Sequence, residues 1–120
     1  MRRRLPLPTI IVVIFILIAI LLPGSSLPQG PHIPGFDKLV HSGMFMALAL
    51  AVCLDFRLVG VRRLLSVLVA VFAFAALTEI SQLFVPGRSC DGFDLVADMA
   101  GFVVGLSAHR IAAAFAARLS

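Results

Sequence analysis

The sequence predicts an all-α fold, an integral membrane bundle of four transmembrane helices with both termini in the cytoplasm. Three observations predict this class. Hydrophobic residues make up 61% of the 120 residues and charged residues only 13%, whereas soluble domains carry about one quarter charged residues. The apolar residues form four runs, and the basic residues gather beside one set of their ends. A chain of this length has room for one domain, so we expect residues 1–120 to form a single membrane domain.

The first apolar run, residues 5–22, carries no charge and has about the length that a membrane-spanning helix needs. Pro6 and Pro8 lie in its first turn, where proline is tolerated because the first N–H groups of a helix have no helical partner. The alternative is a cleaved signal peptide, since residues 2–4 are all arginine and precede the apolar stretch. Residues 23–26 read Pro-Gly-Ser-Ser in place of an A-x-A-like cleavage site, which favours a retained helix.

An irregular loop rich in proline and glycine is expected at residues 23–36. The second apolar run covers residues 39–56, and Asp37, Lys38 and His41 lie at its start. Asp37 is the expected N-cap, because a carboxylate accepts hydrogen bonds from the first N–H groups and favours the positive end of the helix dipole. Three polar side chains are therefore expected at one end of the second helix.

The third apolar run, residues 64–85, is long enough to span a bilayer with some tilt, and it carries one charge, Glu79. A Pro-Gly pair at 86–87 ends this run in a turn. The fourth segment, residues 93–108, is less apolar, and an alanine-rich tail at 112–117 follows it.

The basic residues predict the orientation of the bundle, because short loops rich in lysine and arginine face the cytoplasm. One set of helix ends holds only Lys38 and Arg88. The opposite set, together with the termini, holds Arg2, Arg3, Arg4, Arg57, Arg62, Arg63, Arg110 and Arg118. Both termini are therefore expected in the cytoplasm, and the end with few basic residues is expected to face outward.

Most of the acidic residues belong to this predicted outer end. Asp94 and Asp98 are i,i+4 neighbours on one stripe of the fourth helix. Gly101 and Gly105 continue that stripe as a GxxxG pair, which lets another helix approach closely. Ionisable residues in a membrane segment are functional-site candidates, because a charge in hydrocarbon costs roughly 2.5–3.5 kcal/mol or more. We expect one outward-facing polar pocket formed by Asp37, Lys38, His41, Glu79, Gln82, Arg88, Asp91, Asp94 and Asp98.

Three motifs carry a resemblance to a known family. They are D-K-x-x-H-x-x-x-F from Asp37, E-x-x-Q from Glu79 leading into P-G-R-x-x-D-x-x-D from Pro86, and D-x-x-G-x-x-x-G from Asp98. With these motifs the chain resembles, over residues 37–105, the VanZ-like family of small bacterial membrane proteins. The family usually has asparagine at the position of Asp98, so this chain carries an additional carboxylate there.

The resemblance implies a multi-pass protein of the bacterial cytoplasmic (inner) membrane with a role in the cell envelope. The founding member of the family is associated with low-level resistance to teicoplanin, a glycopeptide antibiotic, so a role similar to antibiotic resistance is expected. The family has no agreed biochemical activity, and the resemblance therefore names no reaction.

Three classes of function follow. The favoured class is a protein that binds or modifies an envelope component or antibiotic, with Lys38 and Arg88 meeting an anionic group. The second is an intramembrane enzyme acting on a lipid-linked substrate, with His41, Glu79 and Arg88 as candidate catalytic residues. The third is a small transporter with Glu79 or Asp98 as proton carrier, against which the absence of an inverted repeat counts. The residues expected to bind ligand are Asp37, Lys38, Gln82, Asp91, Asp94 and Asp98.

The sequence predicts no cofactor and no metal site, because it has no H-E-x-x-H motif and its histidines are dispersed. A divalent cation on Asp91, Asp94 and Asp98 is the alternative. Cys53 and Cys90 form no C-x-x-C motif, and basic residues without interleaved aromatics argue against nucleic acid. The expected partners are membrane lipids and a lipid-linked envelope precursor or glycopeptide, with a homo-oligomer left open. In a purely structural alternative the charged residues only pair to hold helix ends together.

Overall fold

The computed structural model describes residues 4–26 and 33–120. Over these ranges the chain is helical, as predicted, and contains no strand. Its elements are, in order, α1 (Leu7–Leu21), a short 3₁₀ helix (Gly24–Ser26), α2 (Phe36–Asp55), α3 (Val61–Gln82) and α4 (Gly92–Leu119). The N-terminal residues Arg2 and Arg3 and most of the predicted loop before α2 lie outside the described residues.

The starts of α1 and α2 follow the local sequence. Pro8 lies in the first turn of α1, as predicted, whereas Pro6 is the N-cap just before the helix. The N-cap of α2 is Gly35 and not Asp37, so that prediction is wrong. Gly35 has a φ of 81°, a conformation that glycine adopts without steric cost, and it lets the chain enter the helix earlier. Asp37 instead lies in the first turn, where its charge still favours the positive end of the helix dipole.

The C-terminal ends of α3 and α4 differ from the predicted ones. α3 ends at Gln82, and residues 83–85 continue as a turn in which each N–H group donates to the carbonyl three residues earlier. α4 ends at Leu119, well beyond the predicted end near residue 108. Alanine has the highest helix propensity and no glycine or proline follows Gly105, so nothing in the alanine-rich tail stops the helix.

Three of the helices are long and apolar enough to cross a membrane. They are α2, α3 and α4, with 20, 22 and 28 residues. α1 is apolar but has only 15 residues, about 22 Å at 1.5 Å per residue against a hydrocarbon core of about 30 Å. Large apolar side chains such as Leu54, Val69 and Val96 are exposed on the outer faces of the bundle. An apolar exterior of this kind is typical of a membrane protein, because lipid and not water covers it.

α2 and α4 form the most extensive helix pair of the bundle, and α1 packs against α2 and α3. The core contains Phe45 of α2 and Phe102 of α4, both with no exposed surface, together with Ile16 and Ile20 of α1. The ring of Phe45 also packs at 5.9 Å from the ring of Phe74 on α3. All four helices therefore contribute to one core.

The predicted GxxxG pair lies at the contact between α2 and α4. A Cβ atom added to Gly101 would overlap the backbone carbonyl of Ser42, and one added to Gly105 would lie 2.8 Å from the carbonyl oxygen of Met46. The predicted close approach of a neighbouring helix is confirmed, and the neighbour is α2 of the same chain. Because these backbones are so close, side chains next to the contact, such as His41 on α2 and Asp98 on α4, also lie close to each other.

The two ends of the bundle have different polar contacts. At one end, Asp55, the last residue of α2, accepts a hydrogen bond of 2.7 Å from the Thr9 N–H in the first turn of α1. The sequence analysis assigns no role to Asp55, although it is the only acidic residue of the sequence outside the predicted pocket. At the other end, the C-terminal end of α3 meets the N-terminal ends of α2 and α4, and the candidate site lies there.

Candidate functional site

Three helices bring polar side chains together at the end of the bundle opposite Asp55. The exposed fractions of these residues are small, at 7% for His41, 3% for Glu79, 2% for Gln82, 6% for Asp94 and 0% for Asp98. Buried charged side chains are rare in proteins unless they are paired or bind a ligand. The cluster is therefore the feature of the fold that requires a functional or structural explanation.

The centre of the site is formed by His41 from α2, Glu79 from α3 and Asp98 from α4, which we call the inner cluster. His41 Nδ1 lies 3.0 Å from Asp98 Oδ1 and 3.7 Å from Glu79 Oε1. His41 Nε2 on the other side of the ring lies 3.8 Å from Asp94 Oδ2. One imidazole is thus surrounded by three carboxylates from two other helices.

Asp91 connects α3 to the start of α4. It is the N-cap of α4, and its Oδ1 accepts a hydrogen bond of 2.9 Å from the Phe93 N–H. Its own backbone N–H donates to Glu79 Oε2 at 3.2 Å. The hydrogen bond from Phe93, and next the contact with Lys38, hold the pKa of Asp91 below its ordinary value. Asp91 therefore acts as the N-cap of α4, and it also fixes the orientation of Glu79.

Lys38 covers the site on its solvent side. Its Nζ atom donates to Asp91 Oδ2 at 3.0 Å, to Asp94 Oδ1 at 3.1 Å and to Asp37 Oδ2 at 3.3 Å. The Lys38 side chain is 35% exposed and that of Asp94 is 8% exposed, so the ammonium group lies between the buried carboxylate and solvent. In the ranges 4–26 and 33–120, Lys38 is the only lysine or arginine in salt-bridge contact with these carboxylates.

Several atoms in this region have unused hydrogen-bonding capacity. Glu79 Oε1, Asp98 Oδ2 and Gln82 Nε2 are buried and have no hydrogen-bond partner among the described residues. A buried polar group without a partner costs about 1–3 kcal/mol, and native proteins keep few of them. Gln82 lies one helical turn beyond Glu79, on the same face of α3. These atoms are available to a ligand that enters the cluster.

Arg88 lies apart from the inner cluster, contrary to the predicted shared pocket. Its guanidinium donates to the carbonyl oxygens of Leu22 at 3.2 Å and Ala19 at 2.6 Å. Within the described part of the chain, Arg88 forms no salt bridge with a carboxylate. The last carbonyls of a helix have no helical partner and carry the negative end of its dipole, so a cation is stabilised there. Arg88 holds the C-terminal end of α1 against the turn after α3.

The arrangement supports two kinds of chemistry. An imidazole hydrogen-bonded to a carboxylate is an arrangement that orients histidine as a general base. His41, Glu79 and Asp98 also each offer a ligand atom, and these atoms all lie within 4.8 Å of one another, close enough to hold a metal ion. The predicted alternative of a cation on Asp91, Asp94 and Asp98 involves a carboxylate, Asp91, that is occupied by Lys38 and Phe93.

Comparison with known proteins gives one match. The model of the VanZ/LLP1 family matches residues 9–113. This range includes all the residues of the site and parts of all four helices. No curated protein and no solved structure matches the chain.

Proposed function

Because the chain belongs to the VanZ/LLP1 family, we propose that it binds or modifies a polar group of a cell-envelope component at the end of the bundle that carries the inner cluster. In this proposal the protein lies in the bacterial cytoplasmic membrane, and α1 crosses it together with the three longer helices. Both termini then lie in the cytoplasm, and the inner cluster faces outward.

The distribution of basic residues supports this orientation. At the Asp55 end of the bundle, α2 is followed by Arg57 and α3 begins beside Arg62 and Arg63. The side chain of Arg110 donates to the Leu58 carbonyl at the same end. Among the described residues, the opposite end has only Lys38 and Arg88 as basic residues of this kind, and both are engaged in contacts within the protein. Positive charge beside membrane helices favours the cytoplasmic side, which supports a site that faces outward.

The proposal depends above all on one observation, the unused capacity of the buried carboxylates. In a site that three helices build, Glu79 Oε1 and Asp98 Oδ2 are acceptors without hydrogen-bond partners in the described ranges of the chain. A buried ion pair stabilises a fold only when its remaining lone pairs are also satisfied, so these unpaired atoms count against a purely structural role. The inner cluster therefore supports ligand binding better than it supports a purely structural role.

The charges favour a ligand with hydrogen-bond donors. Lys38 already contacts three carboxylates, and Arg88 is bound to α1, so neither is free to receive an anionic group as the sequence suggests. Carboxylates that lack partners instead accept hydrogen bonds from hydroxyl, amide N–H or ammonium groups. Sugar hydroxyls and peptide N–H groups occur in glycopeptides such as teicoplanin. The ligand is then a donor-rich group of a glycopeptide or of a lipid-linked envelope precursor.

Catalysis is the second candidate function, and the His41–Asp98 contact favours it. When His41 Nδ1–H donates to Asp98 Oδ1, at the observed 3.0 Å, Nε2 is left to accept a proton from a substrate. Asp94, 3.8 Å from Nε2, would stabilise the imidazolium that forms. In this candidate function a lipid-linked substrate reaches His41 from the outer end of the helices.

Antibiotic susceptibility tests the proposal. Wild type, His41→Gln and Glu79→Gln proteins are produced in a teicoplanin-sensitive bacterium at equal, verified membrane levels. We expect wild type to lower sensitivity and both variants to return it to the level of cells without the protein. His109→Gln is the matched control, since His109 lies in the C-terminal half of α4, eleven residues after Asp98, and it should behave as wild type.

Two results would contradict the proposal. One is unchanged sensitivity with well-expressed wild type, and the other is full protection by the Glu79→Gln protein. Mass spectrometry of lipid extracts then separates the two candidate functions. A new or depleted lipid species that depends on His41 supports modification, and protection without any changed species supports binding.

A further inference from the structure

When Glu79 and Asp98 are both ionised, the inner cluster has more negative charge than its neighbours neutralise. Glu79 and Asp98 are buried acids, and Asp94 beside them is already paired with Lys38. His41 is the only other basic group that these described carboxylates contact. In an apolar interior a carboxylate must be protonated, paired with a cation or bound to a metal. One imidazole cannot supply two positive charges, whereas one divalent ion can.

We propose that His41, Glu79 and Asp98 form a site for one divalent transition-metal ion, with Zn²⁺ as the ion of best fit. Tetrahedral zinc with bonds of about 2.0–2.2 Å to nitrogen and oxygen places its ligand atoms about 3.4 Å apart. His41 Nδ1 lies 3.0 Å from Asp98 Oδ1 and 3.7 Å from Glu79 Oε1, distances on either side of that value. The ligand atoms of the three residues all lie within 4.8 Å of one another, so the two carboxylates would draw closer together around the ion.

The surroundings of these residues orient them as metal ligands. The Asp91 N–H holds Glu79 Oε2, which leaves Oε1 directed at His41 without another partner. His41 Nε2 faces Asp94 Oδ2 at 3.8 Å, so a carboxylate stands behind the ring when Nδ1 binds the ion. Metal-binding histidines commonly place their second nitrogen against a carboxylate, which fixes the tautomer and makes the ligand nitrogen more basic.

The ligand types favour a transition metal over calcium or magnesium. Ca²⁺ takes six to eight oxygen ligands and Mg²⁺ keeps an octahedral shell of oxygens, whereas imidazole with carboxylates suits Zn²⁺. Three protein ligands leave a fourth position for water or for a group of a bound molecule. Imidazole and carboxylate ligands must be deprotonated to bind a metal ion, so affinity falls as the pH is lowered.

This site uses residues of the proposed binding site, but metal binding does not require the proposed function to be correct. The sequence predicts no metal site because it contains no pair of histidines at a ligand spacing. The three ligands instead come from three different helices, with Glu79 and Asp98 on either side of the turn between α3 and α4. Only the packed bundle places them together.

Direct metal binding tests the inference. The full chain, purified in detergent without a histidine tag, is stripped with EDTA and titrated with Zn²⁺ by calorimetry, and the bound metal is counted by mass spectrometry. We expect one ion per chain and a rise in Tm on adding Zn²⁺. Affinity should fall at least about tenfold in Glu79→Gln and in Asp98→Asn. His109→Gln and Cys90→Ser are controls that remove other metal-binding side chains, and both should bind as wild type.

The outcomes distinguish this inference from the proposed function. Circular dichroism of each variant verifies that it is folded before its affinity is compared. Less than stoichiometric zinc in wild type, or unchanged affinity in folded Glu79→Gln and Asp98→Asn, would overturn the metal site and leave the susceptibility result standing. Stoichiometric zinc that depends on these residues supports the site even if teicoplanin sensitivity never changes.

Discussion

His41 Nδ1 lies 3.0 Å from Asp98 Oδ1, and this contact joins α2 to α4 at a point where Asp98 has no exposed surface. Ser42, the neighbour of His41, is also the residue whose backbone meets Gly101, three residues after Asp98. The polar contact and the close helix packing therefore depend on each other. The absence of a side chain at Gly101 brings the two backbones near enough for the imidazole and the carboxylate to meet.

Removing the Asp98 carboxylate should destabilise the protein. In metal-free Asp98→Ala, His41 loses its hydrogen-bond partner in a buried place, which costs about 1–3 kcal/mol. Asp98→Asn keeps a carbonyl oxygen that can accept from Nδ1–H, and we expect it to lose less. Equilibrium unfolding in mixed micelles with EDTA measures the free energy of unfolding of both variants. Equal stability of the alanine and asparagine variants would show that the acceptor at this position is unimportant.

Adding a methyl group to Gly101 should separate α2 from α4. The new Cβ overlaps the Ser42 carbonyl, and such overpacking typically costs about 1–3 kcal/mol. Gly43→Ala is the matched control, because Gly43 is on the exposed face of α2 and a Cβ there meets nothing within 4 Å. That control should be neutral or stabilising by up to about 1 kcal/mol, since alanine favours a helix. Thermal unfolding compares the two, and a harmless Gly101→Ala would contradict the close packing.

Substitution of Arg88 should loosen α1 and leave the inner cluster intact. Arg88→Ala removes the donors to Ala19 and Leu22, so backbone amides at the C-terminal end of α1 should exchange with solvent faster. The loss of stability should be roughly 1–3 kcal/mol, and Arg88→Lys should lie between alanine and wild type because it keeps the charge. Hydrogen exchange with mass spectrometry measures the effect peptide by peptide.

Zinc binding provides the second readout for Arg88. The Arg88→Ala protein should bind zinc with wild-type affinity, because Arg88 contacts none of the three inner-cluster residues. A large loss of zinc affinity with unchanged exchange in α1 would instead assign Arg88 to the site.

The titration of Asp91 should report its contact with Lys38. Its pKa is lowered from about 3.8 by the Phe93 N–H and then by Lys38. A depressed pKa in the folded state contributes stability that is present above about pH 3.8 and is lost as the pH falls through the lowered value. Carbon-13 NMR of the Asp91 carboxyl group should show the pKa rising in Lys38→Met. It should remain below 3.8 there, because the bond from Phe93 persists; no rise at all would exclude the Lys38 contact.

Local features of the sequence predict much of the fold. Long apolar runs specify α1 and α3, because only a helix satisfies its own backbone in lipid. Residues one helical turn apart share a face, so the common stripe of Asp94 with Asp98 follows from spacing alone. The observed end of α4 also follows from a local signal, since its alanine-rich tail favours a helix and contains no helix breaker. The predicted end near residue 108 neglects this signal.

Long-range contacts could not be predicted in this way. Arg88 lies between several acidic residues in the sequence, yet it binds the carbonyls of α1, more than sixty residues earlier. Asp55 likewise follows an ordinary apolar run, and its partner is the Thr9 amide at the start of α1. Sequence spacing predicts neither contact, because the partners of Arg88 and Asp55 depend on which helix ends become neighbours in the folded bundle.

The sequence by itself determined the membrane class, the helical elements and the family, because hydropathy, helical periodicity and motif spacing are properties of short stretches of chain. It also determined that polar residues gather at one end of the bundle. Only the tertiary structure decided which of them meet. The approach of α2 to α4 over Gly101 and the bond from the Asp91 amide place His41, Glu79 and Asp98 within 4.8 Å of one another. That grouping depends on distances between different helices, and no local pattern encodes them.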